Sequence, residues 1–217
     1  MQRREFSRAA LLSGAAASVG LAGLLSQRPA HAQTAAPREG RDFLRLARPA
    51  PVDSPPGKIE VLEFFAYTCV HCFNFEPLLS AWMRTQAADV VVRRTPVAFS
   101  DAFVPYQRLY YALEAMSQID ALHARVFRAI HVDRQRLGTP EAITDWVVRQ
   151  GVDREKFSGF YNSFAVAGRV RRATQLQEAY LVEGTPSLGV AGRFYVPGQG
   201  ARTLQVAQAL IAGLRSA

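Results

Sequence analysis

Cysteine is scarce in this chain: its 217 residues include two, Cys69 and Cys72, with two residues between them. A framework of structural disulfides is excluded, because such a framework needs several cysteine pairs. A zinc site made from two cysteine pairs is excluded for the same reason, and one that recruits His123 or His131 is an unfavoured alternative. Covalent haem attachment needs a histidine directly after the second cysteine, where this chain has Phe73. Any disulfide chemistry must therefore be carried by the two cysteines together.

Acidic residues are also few, with 18 Asp and Glu against 26 Lys and Arg, which gives a formal net charge of +8. Residues 1–32 contain four arginines and one glutamate, so the rest of the chain carries 8 − 3 = +5. A nucleic-acid-binding protein would concentrate this charge on one element with interleaved aromatic residues. Here the basic residues are scattered, which favours an ordinary solvated basic surface and no nucleic-acid partner.

The chain lacks a hydrophobic run long enough to predict a spanning helix, since the apolar stretch 9–25 is short and rich in Gly and Ala. A basic start precedes this stretch, and Ala30-His31-Ala32 follows it as a cleavage pattern, so residues 1–32 are predicted to be a signal peptide. Arg3-Arg4-Glu5-Phe6 resembles a twin-arginine signal, with an ordinary secretory signal as the alternative. Either route predicts an oxidising compartment outside the cytoplasm, where a disulfide can persist.

The remaining 185 residues (217 − 32) fit one domain, or a domain with an insertion. The chain is predicted to divide into a cleaved signal peptide (1–32), an extended lead-in (33–57), the first half of a thioredoxin-like domain with the C-x-x-C motif (58–100), a helical insertion (101–165) and the second half of that domain (166–217). The lead-in is rich in Pro, Ala and Arg, and Phe43 and residues 44–46 are its candidate anchors.

The hydrophobic pattern predicts the elements of each half. Residues 58–66 read as a strand buried on both faces, and 90–97 as a second strand joined to it by a helix over 69–86. Helical spacing then continues through the insertion, and a hairpin at 187–196 and a helix at 203–214 close the chain. The order β-α-β, helices, β-β-α predicts an α/β protein, a thioredoxin fold with an inserted all-helical domain.

The C-x-x-C motif lies where this fold can activate sulfur. Cys69 falls in the first turn of its predicted helix, where free N–H groups and the helix dipole favour a thiolate. Cys72, one turn later, is expected to be less exposed and to resolve a mixed disulfide formed at Cys69. His71 adds a donor, and when protonated a positive charge, beside the Cys69 sulfur. These residues predict that Cys69 is the nucleophile.

Two segments resemble the DsbA family of bacterial periplasmic thiol–disulfide oxidoreductases. Residues 63–72, EFFAYTCVHC, are similar to its active-site segment, and residues 182–186, VEGTP, to its cis-proline loop. The resemblance covers residues 58–214. It implies a monomeric dithiol oxidase without a cofactor that oxidises reduced secreted proteins and is itself reoxidised by a DsbB-type, quinone-linked membrane partner.

The resemblance also implies roles for single residues around the motif. His71 would stabilise the reduced state, and Glu63 would be a buried carboxylate beneath the cysteines that tunes or relays the proton of Cys72. Arg94 stands where the family often has a lysine paired with that acid. Val70 replaces the proline that the family most often has, which changes the size of the redox bias but not its direction.

The same resemblance assigns the peptide-binding loop. Pro186 would be cis, and Thr185 would offer its backbone to an extended peptide. An ordinary trans turn is the alternative, because cis X-Pro bonds are a minority in folded proteins. Glu63 could likewise point to solvent from an edge strand, and His123 and His131 are interpreted as surface or insertion-packing residues.

Two other functions are compatible with the same motif. A disulfide isomerase or reductant is one, although an isomerase would need an N-terminal dimerisation domain for which residues 33–57 are too short. A peptide-binding chaperone module that does not use its thiols is the other. The redox equilibrium of Cys69 and Cys72 separates the isomerase or reductant from a dithiol oxidase. The activity of a Cys69→Ala variant separates the chaperone module from it.

Overall fold

The structure of the protein is a computed structural model that describes residues 36–216. The predicted signal peptide, residues 1–32, lies outside the described residues, so its cleavage and export route stay predictions. Within the described part of the chain, every helix is too short or too polar to cross a membrane.

A five-stranded mixed sheet forms the centre of the fold, in the order β1-β5-β4-β2-β3. Its strands are β1 (Leu44–Arg45), β2 (Ile59–Phe65), β3 (Val90–Pro96), β4 (Ser187–Val190) and β5 (Phe194–Val196). The central strand β2 runs parallel to β3 and antiparallel to β4, and all of its residues after the first are buried. This confirms the prediction of a strand covered on both faces, as expected for a Val-, Leu- and Phe-rich run.

Helices cover both faces of the sheet and form a block of their own between β3 and β4. They are α1 (Val70–Met83), α2 (Val104–Ala115), α3 (Ile119–His131), α4 (Pro140–Arg149), α5 (Arg154–Tyr161), α6 (Phe164–Ala179) and α7 (Ala201–Arg215). Helix α1 is the crossover from β2 to β3, and α2 to α5 are the inserted helices. The predicted fold class, a thioredoxin fold with inserted helices, is therefore confirmed.

Local sequence explains where the inserted helices begin and end. The Thr139 side chain caps α4 by accepting a hydrogen bond from the Ala142 N–H at 3.2 Å, with Pro140 in the first turn. The sequence pattern missed the break between α2 and α3, because apolar spacing continues across it. Ser117 ends α2 in the left-handed region, with φ 57°, and the Gln118 N–H reaches the Leu113 carbonyl at 2.8 Å.

The lead-in was predicted to be extended, but it contributes a strand that the sequence pattern did not predict. β1 pairs antiparallel with β5, and Phe43 packs edge-on against the Phe194 ring with 5.6 Å between the ring centroids. Further along, the buried carboxylate of Glu60 accepts a hydrogen bond from the Ser54 hydroxyl at 2.9 Å. The described part of the lead-in is thus fixed to the sheet at two points.

The core consists of three packed clusters, and Cys69 lies between two of them. One cluster joins α1 to the inserted helices and contains Cys72. A second lies under the hairpin and α7, and the third lies between the sheet and α6. Cys69 packs against the first and the third, so the motif is positioned by both the sheet and the insertion.

Gly189 gives a test of the close approach between β4 and α6. A Cβ at this position would overlap the ring of Tyr180, whose hydroxyl accepts a hydrogen bond from the Gly192 N–H at 2.8 Å. We expect Gly189→Ala to lower the free energy of unfolding by about 1–3 kcal/mol, the usual cost of overpacking. The matched control is Gly159→Ala in α5, where no atom lies within 4 Å of the added Cβ. Urea unfolding should show the control unchanged or slightly more stable, and equal effects at both sites would contradict the packing.

Candidate active site at the N-terminus of helix α1

The two cysteines lie at the first turn of α1 in different environments. Cys69 is the N-cap residue of the helix and is partly exposed, whereas Cys72 is fully buried. Thr68, a residue type that often caps helices, stands one position before the observed cap. Because Cys69 itself holds the cap position, its sulfur lies at the free N–H groups of the first turn.

Hydrogen bonds at this position stabilise the Cys69 thiolate. The Cys72 thiol donates to the Cys69 sulfur, and this bond is the main reason that the pKa of Cys69 falls to about 5. Partial burial opposes the shift, and the backbone N–H groups of Cys72 and His71 add to it. The same thiol–thiolate bond, together with burial, raises the pKa of Cys72 far above its ordinary value. The reduced site therefore holds one thiolate and one thiol at neutral pH.

The loop before β4 faces these sulfurs. The Thr185–Pro186 peptide bond is cis, the geometry that the resemblance implies. The Cys69 Sγ atom lies 3.4 Å from the Thr185 carbonyl oxygen, a contact that a thiol can use as a donor but a thiolate cannot. The Thr185 side chain acts in the opposite direction, since its hydrogen bonds to both sulfurs lower the pKa of Cys69 and that of Cys72. The thiolate form of Cys69 is favoured overall, because the hydrogen bond from Cys72 is the largest contribution to its pKa.

His71 and Val70 lie between the cysteines on the exposed side of α1. The His71 backbone N–H contributes to lowering the pKa of Cys69. Its side chain is exposed, and Val70 is half exposed. The effects of the His71 ring and of Val70 on the redox balance stay predictions.

A groove of about 740 Å³ opens beside the motif and the cis-proline loop. Its walls come from α1, the cis-proline loop, the hairpin and the lead-in, and include His71, Leu78, Thr185, Pro186, Tyr195 and Leu44. The lead-in strand thus forms part of the surface next to the cysteines, which its composition did not predict.

A cluster of buried charged residues lies between the sheet, α1 and α3. We call Glu63, Glu76, Arg94 and His123 the charged cluster. Glu63 and Arg94 are register partners on β2 and β3, and the Arg94 Nε atom lies 3.3 Å from Glu63 Oε2. Arg94 binds Glu76 more closely, with Nη2 donating to Oε1 at 2.7 Å. Glu63 is buried, as predicted, so the solvent-facing alternative does not apply.

The two carboxylates of the cluster differ in charge state. Burial raises the pKa of Glu63 to about 8, with the Arg94 charge opposing and the Glu76 charge adding to the rise. Burial also acts on Glu76, but hydrogen bonds from His123 and Ser80 and the charges of His123 and Arg94 outweigh it and lower the pKa of Glu76. Arg94 is therefore balanced mainly by Glu76, and Glu63 is mostly protonated at neutral pH. Within residues 36–216 no hydrogen bond joins Glu63 to a cysteine, and its role in tuning Cys72 stays a prediction.

The histidines of the insertion make polar contacts that the sequence interpretation missed. His123 is buried, with Nδ1 2.8 Å from the Tyr67 hydroxyl and Nε2 3.3 Å from Glu76 Oε2. His131 Nε2 lies 2.8 Å from the Tyr67 carbonyl oxygen. The two residues pack against the insertion as interpreted, but they also bind the segment before Cys69. The sequence feature that could have revealed these contacts is the four-residue spacing of His123, Phe127 and His131, which places all three on one face of α3.

No group of three or more His, Cys, Asp or Glu residues in the described part of the chain could hold a metal ion. The site consists instead of a thiolate–thiol pair at a helix N-terminus, facing a cis-proline loop at the edge of a thioredoxin-fold sheet. Such an arrangement defines a thiol–disulfide oxidoreductase.

Comparisons with known proteins identify the family. Residues 84–210 match the DSBA-like thioredoxin domain. The chain is 42% identical over 184 residues to the thiol:disulfide interchange protein DsbA of Burkholderia cepacia, covering 85% of each chain. It is 47% identical over 154 residues to that of Bordetella parapertussis, covering 71% of this chain and 73% of the relative. The crystal structure of Pseudomonas aeruginosa DsbA superposes with a TM-score of 0.78 at 38% identity, covering 82% of this chain and 94% of that one. The chain belongs to the DsbA family of the thioredoxin superfamily.

Replacing Cys72 tests the bond that stabilises the thiolate. We expect Cys72→Ala to raise the pKa of Cys69 above about 5, because the main donor to its sulfur is lost. Cys72→Ser is the matched control, since its hydroxyl can still donate, and its Cys69 pKa should stay closer to that of the wild-type protein. Thiolate absorbance at 240 nm against pH measures both. If Cys72→Ala instead keeps the wild-type pKa of Cys69, the bond from Cys72 is not the main cause of the shift.

The charged cluster predicts opposite effects for its two carboxylates. The folded pKa of Glu63 is about 8, above its unfolded value of about 4.3, so the wild-type protein loses stability as the pH rises between these values. Glu63→Gln should therefore raise the free energy of unfolding by about 1–3 kcal/mol above pH 8 and leave it nearly unchanged near pH 4.

Glu76→Gln is the matched comparison for this prediction. It removes the closest partner of Arg94 and should lower the free energy of unfolding by about 3 kcal/mol, the usual cost of breaking a buried pair. Urea unfolding between pH 4 and 9 measures both variants. Stabilisation by Glu76→Gln, or a pH-independent effect of Glu63→Gln, would contradict this assignment of charge.

Proposed function

We propose that this protein is an exported dithiol oxidase, which donates a Cys69–Cys72 disulfide to reduced proteins that are folding outside the cytoplasm. The observation that carries the proposal is the asymmetry of the two sulfurs. One is accessible with a pKa of about 5, and the other is buried with a strongly raised pKa. A thiolate stabilised in the folded reduced protein favours reduction of the disulfide, which makes that disulfide an oxidant.

The transfer takes place in two displacements. A substrate thiolate attacks Sγ of Cys69, the Cys69–Cys72 bond breaks, and Cys72 leaves with the electron pair and takes up a proton. A second substrate thiolate then attacks the substrate sulfur of the mixed disulfide, and Cys69 leaves as a thiolate. Two electrons pass from two substrate thiols to this protein. Of the two protons released, one stays on Cys72 and the other enters solvent.

Accessibility and leaving-group strength both assign Cys69 to the mixed disulfide. Cys72 is fully buried, so an incoming substrate sulfur meets Cys69 first. In the second displacement Cys69 is the leaving group, and a thiol of low pKa leaves faster. A positive charge on the His71 ring would further stabilise the Cys69 thiolate of the reduced form. Val70 would affect how strongly the redox equilibrium favours that form.

The groove beside the motif provides the site for the substrate. A peptide in extended form would lie along the cis-proline loop, with the backbone of Thr185 as its hydrogen-bonding partner and Pro186 setting the distance to Cys69. The groove walls are formed by apolar and polar residues from four parts of the fold, which suits substrates that share an exposed cysteine and not a sequence.

Membership of the DsbA family supports the partners and the compartment. Reduced periplasmic proteins are the proposed substrates, and a DsbB-type, quinone-linked membrane oxidase is the proposed electron acceptor that restores the disulfide. We propose that the protein acts as a monomer in the periplasm. Residues 1–32 would direct export, and the proposal of the twin-arginine route rests on Arg3-Arg4-Glu5-Phe6 and on the weak hydrophobicity of the stretch that follows.

Two variants and one equilibrium test this function. Cys69→Ala should reduce oxidation of a reduced, unfolded ribonuclease to the uncatalysed rate, because the attacked sulfur is gone. Incubated with oxidised glutathione, Cys72→Ala should instead accumulate a glutathione mixed disulfide at Cys69, because no Cys72 thiol remains to displace the glutathione, and the mass increase should be reversed by a reductant. A redox equilibrium of the wild-type protein with glutathione should be far more oxidising than the about −270 mV of thioredoxin. A thioredoxin-like potential would favour the reductant alternative, and full activity of Cys69→Ala would favour a chaperone module.

A further inference from the structure

Helix α3 of the insertion contacts Tyr67 both at its side-chain hydroxyl and at its backbone carbonyl. The His123 Nδ1 atom lies 2.8 Å from the Tyr67 hydroxyl, and the His131 Nε2 atom lies 2.8 Å from the Tyr67 backbone carbonyl oxygen. Phe127, one turn from each histidine, packs on the Tyr67 ring with 5.0 Å between centroids. One face of α3 therefore makes three separate contacts with a single buried residue.

Tyr67 lies in the short connection that delivers Cys69 to the helix N-terminus. This connection, residues 66–69, joins β2 to α1, and we call it the elbow. Within it the Cys69 N–H donates to the Ala66 carbonyl at 3.0 Å. The position of the Cys69 sulfur relative to the N–H groups of α1 depends on how firmly the elbow is held.

His131 contacts the motif on its other side as well. Its ring stacks on Phe73, the residue after Cys72, with 5.2 Å between centroids and 15° between the planes. The tautomer of His131 follows from its partner, because a carbonyl oxygen can only accept and Nε2 must therefore carry the proton. His131 thus binds the backbone before Cys69 and covers the side chain after Cys72.

We propose that His131 is a positioning residue of the redox centre, and that its hydrogen bond to the Tyr67 carbonyl stabilises the dithiol form more than the disulfide form. In the disulfide form a covalent bond ties Cys69 to α1, so the elbow is held without His131. In the dithiol form only non-covalent contacts keep the Cys69 sulfur at the helix N-terminus. Loss of the bond should therefore shift the redox equilibrium towards the disulfide and make the protein a weaker oxidant.

This inference rests on the proposed function and can fail separately from it. A contact that is merely structural stabilises both redox forms equally and leaves the equilibrium with glutathione unchanged. A positioning contact changes the difference between the two forms, and with it the equilibrium constant. A wild-type protein that is not oxidising would refute the function, whereas an oxidising protein that is indifferent to His131 would refute only the inference.

Two substitutions separate the hydrogen bond from the ring. His131→Phe keeps an aromatic ring over Phe73 but cannot donate, and His131→Gln keeps an N–H donor without the ring. The control is Ile143→Val, a buried substitution in α4 that should destabilise both redox forms alike. Unfolding of each form and the equilibrium with glutathione are measured for all three variants, together with the pKa of Cys69.

The expected result is a shift of about three- to tenfold towards the disulfide in His131→Phe, the range that one hydrogen bond can contribute. The pKa of Cys69 should rise in the same variant, while His131→Gln stays near the wild-type protein and Ile143→Val leaves the equilibrium unchanged. No shift in His131→Phe, or an equal shift in His131→Gln, would overturn the proposal.

A measurement on the wild-type protein covers the case in which a variant does not fold. The Nε2 proton of His131 should be protected from exchange with solvent in the dithiol form and less so in the disulfide form, as seen by nitrogen-15 NMR of the imidazole. Equal protection in the two redox forms would also overturn the proposal.

Discussion

The hydrogen bond from the Cys72 thiol to the Cys69 sulfur is the interaction on which the chemistry of this protein depends. It divides one remaining proton unequally between two cysteines, so that the exposed sulfur is a thiolate with a pKa of about 5 and the buried one stays a thiol. The backbone N–H groups at the helix N-terminus and the Thr185 side chain further lower the pKa of Cys69. A site of this kind needs no cofactor, because the electrons move from sulfur to sulfur.

The rest of the fold supports that pair from two directions. The sheet carries the elbow and the cis-proline loop, and the inserted helices reach the same elbow through His123 and His131. The charged cluster lies between them, where α1, α3 and two strands meet. It is buried, and burial keeps Glu63 mostly protonated there, because the opposing charge of Arg94 is paired more closely with Glu76. The insertion therefore contacts the segment that leads into Cys69.

Local signals predicted most elements of the structure but not all of their contacts. Thr139 and Pro140 marked the start of α4 because capping acts within a few residues. The break at Ser117 was missed because apolar spacing continues across it, and β1 was missed because a strand of two residues carries no periodicity. His123 and His131 were interpreted as packing residues because their polar partner, Tyr67, lies 56 and 64 positions earlier in the chain.

The sequence by itself determined the class of fold, the family and the two atoms that can react, because these depend on hydrophobic periodicity and on a motif with no competing cysteine. Pairing of Glu63 with Arg94 followed from the resemblance, and it is a contact between adjacent strands. Only the tertiary structure decided that Glu76 takes the larger share of the Arg94 charge, that the lead-in lines the groove, and that α3 holds the elbow. These features depend on distances between residues far apart in the chain, and hydrogen bonds and burial exist only once the packed elements set those distances.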